Sequence, residues 1–266
     1  MIRSALMNVM TSAAIKAGRS LKRDFGEVEN LQVSLKGPGD FVSAADRKAE
    51  KTVFDELSRA RPGYGFVMEE TGVVEGSDTT HRWFVDPLDG TTNFLHGLPF
   101  FAVSIALERE GQIVAGVIYN PATDDMFVAE KGQGAWHNNR RLRVAARRDM
   151  ADALVGTGVS PLGKAHMHPR FKAELSAVLT RVANIRRMGA VSLDLALVAA
   201  GKLDAFWERG LGPWDTPAGI ILIREAGGYV TDADGGETML DGGSVCAGNE
   251  FMHRQLLTLL KGAKTG

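Results

Sequence analysis

Three segments carry most of the oxygen chemistry this chain offers. The first, Trp83-Phe84-Val85-Asp86-Pro87-Leu88-Asp89-Gly90-Thr91-Thr92-Asn93, runs from three apolar residues into two aspartates spaced three apart. The apolar run predicts a buried strand ending at Asp86. Pro87 cannot donate to a ladder and biases Asp86 towards extended backbone. Gly90 permits a tight turn, and Thr91-Thr92-Asn93 offers hydroxyls and backbone N–H groups to open a short helix. Two carboxylates at a strand end suit a hard cation, which prefers oxygen ligands. Free N–H groups at a helix start suit the anion that such a cation accompanies. The combination points to a metal–phosphate site; the plainer alternative is a turn whose aspartates accept local hydrogen bonds.

The second segment, Gly210-Leu211-Gly212-Pro213-Trp214-Asp215-Thr216-Pro217, leads into an apolar run that ends at Gly227-Gly228. It predicts a helix over 216–226 with Asp215 as N-cap, Pro217 in the first turn and Gly227 as its C-terminal glycine. Asp215 is either a cap alone or a cap whose second oxygen serves a metal, with Trp214 packed beneath. The third, Phe66-Val67-Met68-Glu69-Glu70, places adjacent acids after a strand, where alternation sends one towards a site and the other towards solvent. Ser43 and Asp46 form a capping-box-like pair opening a helix from Ala44 to about Ala60.

The elements that must position these acids fall into two rhythms. Ile2, Leu6, Val9, Ala13, Ala17 and Leu21 recur at helical spacing, so the N-terminus reads as an amphipathic helix rather than a signal peptide. An antiparallel sheet follows the second helix: strands at Gly65–Met68 and Arg82–Asp86, a 101–107/113–119 hairpin turning at Glu110-Gly111, then Met126–Ala129 and Arg141–Val144. Beyond the basic run of residues 140–148, strands near 154–159, 185–188, 205–208, 229–231 and 245–247 alternate with helices near 169–182, 191–200 and 216–226. Asn249 caps a last helix. The expectation is an N-terminal α+β domain over 1–145 and a C-terminal α/β domain over 146–266.

Lys plus Arg is 31 against 32 for Asp plus Glu, a balance that argues against a polybasic nucleic-acid binder and an acidic disordered chain. A lone cysteine, Cys246, excludes an intramolecular disulfide framework and fits the cytoplasm. No apolar run is long enough to span a membrane.

Taken together, Asp40-Phe-Val-Ser-Ala-Ala-Asp46, Glu69-Glu70, the Asp86–Thr92 motif, Gly189–Leu193 and Trp214–Gly219 resemble the inositol monophosphatase family, particularly its bacterial members. The resemblance implies a layered αβαβα sandwich, usually a homodimer, and Mg²⁺-dependent, Li⁺-sensitive hydrolysis of a small phosphorylated metabolite. It implies that Glu69, Asp86 and the Leu88 carbonyl bind a first Mg²⁺, that Asp86, Asp89 and Asp215 bind a second, and that Glu69 helps hold a weaker third. Thr91 and Asp46 match the pair that orients and deprotonates the attacking water. Asp89, Gly90, Thr91, Gly189, Ala190, Glu208 and Asp215 match substrate contacts, although Asp46 also suits a plain helix-start carboxylate and Glu208 a surface acid.

Ala190 replaces a hydroxyl residue of some members. The Pro161–His168 stretch reads as a variable loop that borders the site and carries solvated histidines, and His96 as a residue behind the site. The leading substrate is myo-inositol 1-phosphate. Fructose 1,6-bisphosphate, histidinol phosphate, nucleotide 3′-phosphates and NADP are alternatives. A regulator binding RNA or the transcription machinery is a reading of a different class, resting on the basic clusters at Arg140–Arg148 and Arg186-Arg187.

Overall fold

Helix α1 (Ala5–Phe25) buries Met7, Met10, Ala13, Ala14, Ala17 and Leu21. The computed structural model describes residues 4–25, 33–37, 40–241 and 243–263, with the side chains of 33–37 and 40–43 outside that description. Ile2 and the capping side chain of Ser43 therefore fall outside it. The predicted stripe is rotated: Leu6 and Val9 sit half-buried at its edge while the adaptable methionines take its centre.

A short antiparallel pair, β1 (Val33–Gly37) and β2 (Asp40–Ser43), precedes α2 (Ala44–Ala60). Then follow β3 (Tyr64–Met68), β4 (Gly72–Val74), β5 (Asp78–Asp89), α3 (Thr91–Leu95), β6 (Ala102–Arg109), β7 (Gln112–Asn120), β8 (Asp125–Glu130), β9 (Gly134–His137) and β10 (Arg140–Arg141). These build an eight-stranded sheet of order β10-β9-β8-β7-β6-β5-β3-β4. The expected hairpin is present. Arg109 pairs with Gln112, and Glu110 and Gly111 both take positive φ, 52° and 78°, which matches a tight turn to the strand twist.

Two expectations need correction. The sheet contains one parallel pair, β3 with β5, because the β3–β4 hairpin reverses the chain and the next turn reverses it again. The strand expected at Arg141–Val144 stops at Arg141. Leu142 still donates to the Ala135 carbonyl, but Val144 has moved away to bond the Ala226 carbonyl at 3.2 Å.

The second sheet comprises β11 (Leu154–Thr157), β12 (Asn184–Arg186), β13 (Ala205–Leu211), β14 (Tyr229–Thr231) and β15 (Gly243–Gly248) in the order β12-β11-β13-β15-β14. It is mixed: β11 runs parallel to β12 and β13, whereas β15 is antiparallel to β13 and β14. The helices are α4 (His168–Leu179), α5 (Val191–Ala199), α6 (Pro217–Glu225) and α7 (Glu250–Gly262). Asn249 caps α7 as expected, accepting from Phe251 and Met252 N–H at 3.0 Å each.

Alternation along β5 dictates the layering. Trp83 and Val85 pack with α1 and α2, while Phe84 faces the opposite way towards α5 and α6. The far side of α5 and α6 meets Phe206, Val245 and Ala247 of the second sheet. Trp207 and Cys246 point to the outer face, against α4 and α7. The result is an αβαβα sandwich. Its central helices are apolar nearly all round because both faces are covered.

Gly116 on β7 brings α6 close: a Cβ there would lie 2.6 Å from Ile221 Cγ2 and 3.0 Å from the Ala218 backbone. Gly116→Ala therefore forces helix and sheet apart. A loss of about 1–3 kcal/mol is expected in chemical denaturation, whereas an unchanged midpoint would mean the layers slide freely.

Candidate active site

The site grows from the end of β5. Its register against β6 slips between Asp86 and Asp89, where Pro87 interrupts the ladder, and such a bulge re-aims the side chains around it. Asp86 is buried and accepts from Leu88 N–H at 3.0 Å. Gly90 then turns the chain with φ +90°, and a Cβ there would stand 3.0 Å from both Ala190 Cβ and the Phe100 carbonyl oxygen. Thr91 opens α3 as expected. Its hydroxyl faces two acceptors, the Leu88 carbonyl at 3.0 Å and Asp46 Oδ1 at 3.1 Å. Asp46 lies in the first turn of α2 and is wholly buried.

Asp89 has a role that its neighbours in sequence do not reveal. Its Oδ1 accepts from Val191 N–H at 3.2 Å, and its Oδ2 accepts from the N–H and the hydroxyl of Ser192. Asp89 thus caps α5 from another layer of the fold. Ala190, the residue at the N-cap position, has no side chain with which to do so. Ala190 is buried, and Gly189 beside it takes φ +89° and lines the cleft.

The cleft holds about 300 Å³, and Glu69, Asp89, Glu208 and Asp215 line it together with Lys164, Arg187 and Trp214. Glu69 and Glu70 diverge as expected: Glu70 lines a separate pocket against α2. Asp215 corrects its expectation. Pro217 begins α6 and Thr216 occupies the N-cap position, leaving Asp215 one residue too early to cap. Its Oδ2 instead accepts from Gly212 N–H at 2.7 Å.

Crowded carboxylates should titrate abnormally, and these do. Burial, followed by the charges of Glu69, Asp89 and Asp215, pushes Asp86 well above the usual carboxylate range. Burial, then Asp89 and Glu69, does the same to Asp215. Burial raises Asp89 against the pull of its Ser192 and Val191 hydrogen bonds. Burial and the Asp89 charge bring Glu208 up to about 8, opposed by Arg187 and Lys164.

Among the described residues, no three His, Cys, Asp or Glu side chains are grouped so as to hold a metal ion as they stand. The donor chemistry nevertheless fits a hard divalent cation. Asp86 is hydrogen-bonded to Glu69, two further carboxylates act on it, and the cleft lining among the described residues includes no histidine or cysteine.

Sequence reasoning missed several participants. Gly158 makes the space that Glu208 occupies, since a Cβ there would come within 2.0 Å of both carboxylate oxygens. Lys164 and Arg187 bring positive charge to the same wall, and only the basic character of Arg186-Arg187 hinted at it. The Pro161–His168 loop does border the cleft, through Pro161 and Lys164. His168 is not a solvated side chain, because its Nε2 pairs with the Ser160 carbonyl at 3.0 Å. His166 is exposed as expected, whereas His96 sits exposed at the end of α3 rather than behind the acids.

The raised carboxyls imply a pH dependence of stability. Asp194, buried on α5, is pushed up to about 9 by burial and by the charges of Glu208 and Asp89. A carboxyl raised in the folded state keeps a proton that the unfolded chain has already lost, so its stabilisation disappears as pH climbs towards its folded pKa. Buried His253, held low, has the opposite sign but is finished by about pH 7. Metal-free protein should therefore lose at least about 1.4 kcal/mol between pH 7 and 8.5 in urea denaturation. Flat stability across that window would refute the crowding.

Comparison with known proteins agrees with this geometry. The model of the Inositol monophosphatase family matches residues 3–264. An Inositol-1-monophosphatase of Mesorhizobium japonicum is 65% identical over 261 residues, covering 98% of each chain. A Pseudomonas aeruginosa protein named Nus factor SuhB is 41% identical over 260 residues, covering 96% of each. The crystal structure of the extragenic suppressor protein suhB from Bartonella henselae superposes with a TM-score of 0.93 at 58% identity, covering 97% of this chain and 99% of that one. Among the described residues, no helix is long and apolar enough to cross a membrane.

Proposed function

This chain belongs to the inositol monophosphatase family, and on that footing we propose that it hydrolyses myo-inositol 1-phosphate to myo-inositol and phosphate with Mg²⁺ as cofactor. The observation that carries the reading is the gathering of Glu69, Asp86, Asp89 and Asp215 next to the Thr91–Asp46 pair. Glu69, Asp86 and the Leu88 carbonyl would hold one Mg²⁺, and Asp86, Asp89 and Asp215 a second, with Glu69 shared with a weaker third. When bound, such cations acidify a water and offset phosphoryl charge.

The remaining work falls to the chain itself. Thr91 donates its hydroxyl hydrogen towards buried Asp46, so it is oriented to take a proton from the attacking water while passing its own inward. Backbone N–H groups at the start of α3 lack intrahelical partners and suit the phosphate. Asp89, fixed by the first turn of α5, cannot swing away from the reacting centre. Glu208, seated against Gly158, meets a substrate hydroxyl, and Lys164 and Arg187 draw an anion towards the cleft. Most of these acids belong to the proposed 1–145 domain, and Asp215 and Glu208 to the 146–266 domain. A cytoplasmic homodimer sensitive to Li⁺ completes the reading.

A substrate panel tests it. In the presence of Mg²⁺, kcat/KM should be highest for myo-inositol 1-phosphate; a higher value for fructose 1,6-bisphosphate, histidinol phosphate, a nucleotide 3′-phosphate or NADP reassigns the substrate. A regulator binding RNA or the transcription machinery is the second reading, favoured by the relatives named Nus factor SuhB. The basic clusters lend it less support. Arg147 pairs with buried Asp204 at 2.9 Å, Arg148 stacks over Phe251, and Arg187 faces the cleft.

A further inference from the structure

The hairpin that delivers Glu69 is short and lightly built. Met68 on β3 pairs with Gly72 on β4, so Glu69, Glu70 and Thr71 form a three-residue loop, and Gly72 takes φ +82° to close it. β4 is only three residues long, lies at the edge of the sheet and leaves Val73 exposed. Behind the loop is a space of about 330 Å³ bounded by Phe54, Met68, Glu70 and Val74, where a packed side chain would otherwise brace it. An edge position and few buried apolar contacts leave a loop able to shift unless hydrogen bonds tie it down.

Here they do. At the start of the loop, Glu69 N–H donates to the Val85 carbonyl at 3.2 Å, next to Asp86. At its tip, Glu50 of α2 takes hold: its Oε2 accepts from Glu70 N–H at 2.8 Å and its Oε1 accepts from the Thr71 hydroxyl. Glu50 is 3% exposed, so these bonds are sheltered from competing water. It stands four residues after Asp46, on the same face of α2 and one turn further along. One helix therefore holds Thr91 through Asp46 and the Glu69 loop through Glu50.

We propose that Glu50 is a positioning residue for the metal centre: by clamping the loop at Glu70 and Thr71, it fixes Glu69 where a Mg²⁺ ion would meet it together with Asp86. The inference rests on reading Glu69 as a Mg²⁺ ligand. Glu50 is not part of the cleft lining. Its loss therefore weakens metal binding without removing a ligand, as expected of a group that orients a ligand rather than supplying one.

Titration calorimetry of the metal-free chain with Mg²⁺ alone tests this, beside phosphate release from myo-inositol 1-phosphate. Glu50→Leu removes both bonds and should raise the Kd for Mg²⁺ about tenfold. Thr71→Val removes the hydroxyl bond alone, at an exposed position where substitution is well tolerated, and should raise it about threefold. Glu50→Gln, which keeps one acceptor, should fall between the wild type and Glu50→Leu. In saturating Mg²⁺ all three variants should regain wild-type kcat and KM for the ester, a recovery that general damage to the fold would not allow. Wild-type affinity for Mg²⁺ in Thr71→Val and Glu50→Gln overturns the clamp, and so does a lowered kcat that excess Mg²⁺ leaves uncorrected. Those two variants decide the question if the leucine variant fails to fold. Wild-type protein that binds no Mg²⁺ overturns the metal reading itself, and the inference with it.

Discussion

Asp86→Asn releases phosphate from myo-inositol 1-phosphate about 10³-fold more slowly than the wild-type chain, while its metal-free form unfolds no more easily. The two halves of this expectation come from the same geometry. Asp86 sits between Glu69, Asp89 and Asp215 with its carboxyl buried and its pKa driven up by that burial and by their charges. Asparagine keeps the shape and can still accept from Leu88 N–H, so the turn survives. Removing one charge from a crowded buried cluster relieves repulsion, and stability holds or rises. The same removal takes away the carboxylate proposed to serve two cations. Mg²⁺ should then no longer raise Tm, because a ligand stabilises only the fold it binds. Calorimetry with and without Mg²⁺, beside phosphate release, reads both. A variant that keeps its activity would show that the acids are merely structural. A regulatory binding role, by contrast, should survive the substitution.

Thr91→Val should lower kcat by about 10²–10⁴-fold, the usual range for a lost proton-transfer group, with a smaller change in KM. Valine is close in volume but has no hydroxyl to place between the attacking water and Asp46. Because Thr91 contributes no carboxylate, the rise in Tm with Mg²⁺ should persist, and this separates the variant from Asp86→Asn. Thr91→Ser, which restores the hydroxyl, should recover most of the rate. Near wild-type turnover by the valine variant would remove Thr91 from the chemistry.

The Asp86–Thr92 turn was legible because its information is local. An apolar run, a proline without a donor and a glycine at positive φ leave few alternatives, and α3 begins where the hydroxyl residues suggested. Asp215 was misread as a cap because Asp before Thr-Pro satisfies the usual pattern, yet Pro217 at the first helical position moves the cap to Thr216. The freed carboxylate bonds Gly212 and faces the cleft. The hold of Asp89 on α5 and the accommodation of Glu208 by Gly158 join residues far apart in the chain, and no periodicity encodes them. The short strands β4 and β9 were missed for a related reason: three or four residues carry too little alternation to stand out. The rotation of the α1 stripe reflects packing against α2 and the sheet, which only tertiary contact decides.

The chain's charge balance takes on meaning in the same way. Lys plus Arg nearly equals Asp plus Glu across the whole sequence, yet beyond their burial Asp86 and Asp215 are pushed further up by the charges of neighbouring acids, Glu69 and Asp89 among them. Near-neutrality overall coexists with a concentrated acidic site.

The central claim is that this acidic cleft binds a divalent cation and, with Thr91 and Asp46, hydrolyses a phosphate monoester. Phosphate release from myo-inositol 1-phosphate by the wild-type chain, measured with Mg²⁺ and again with excess chelator, tests it most directly. Turnover that vanishes with the chelator and returns when Mg²⁺ is restored is the predicted result; turnover that survives chelation would contradict it.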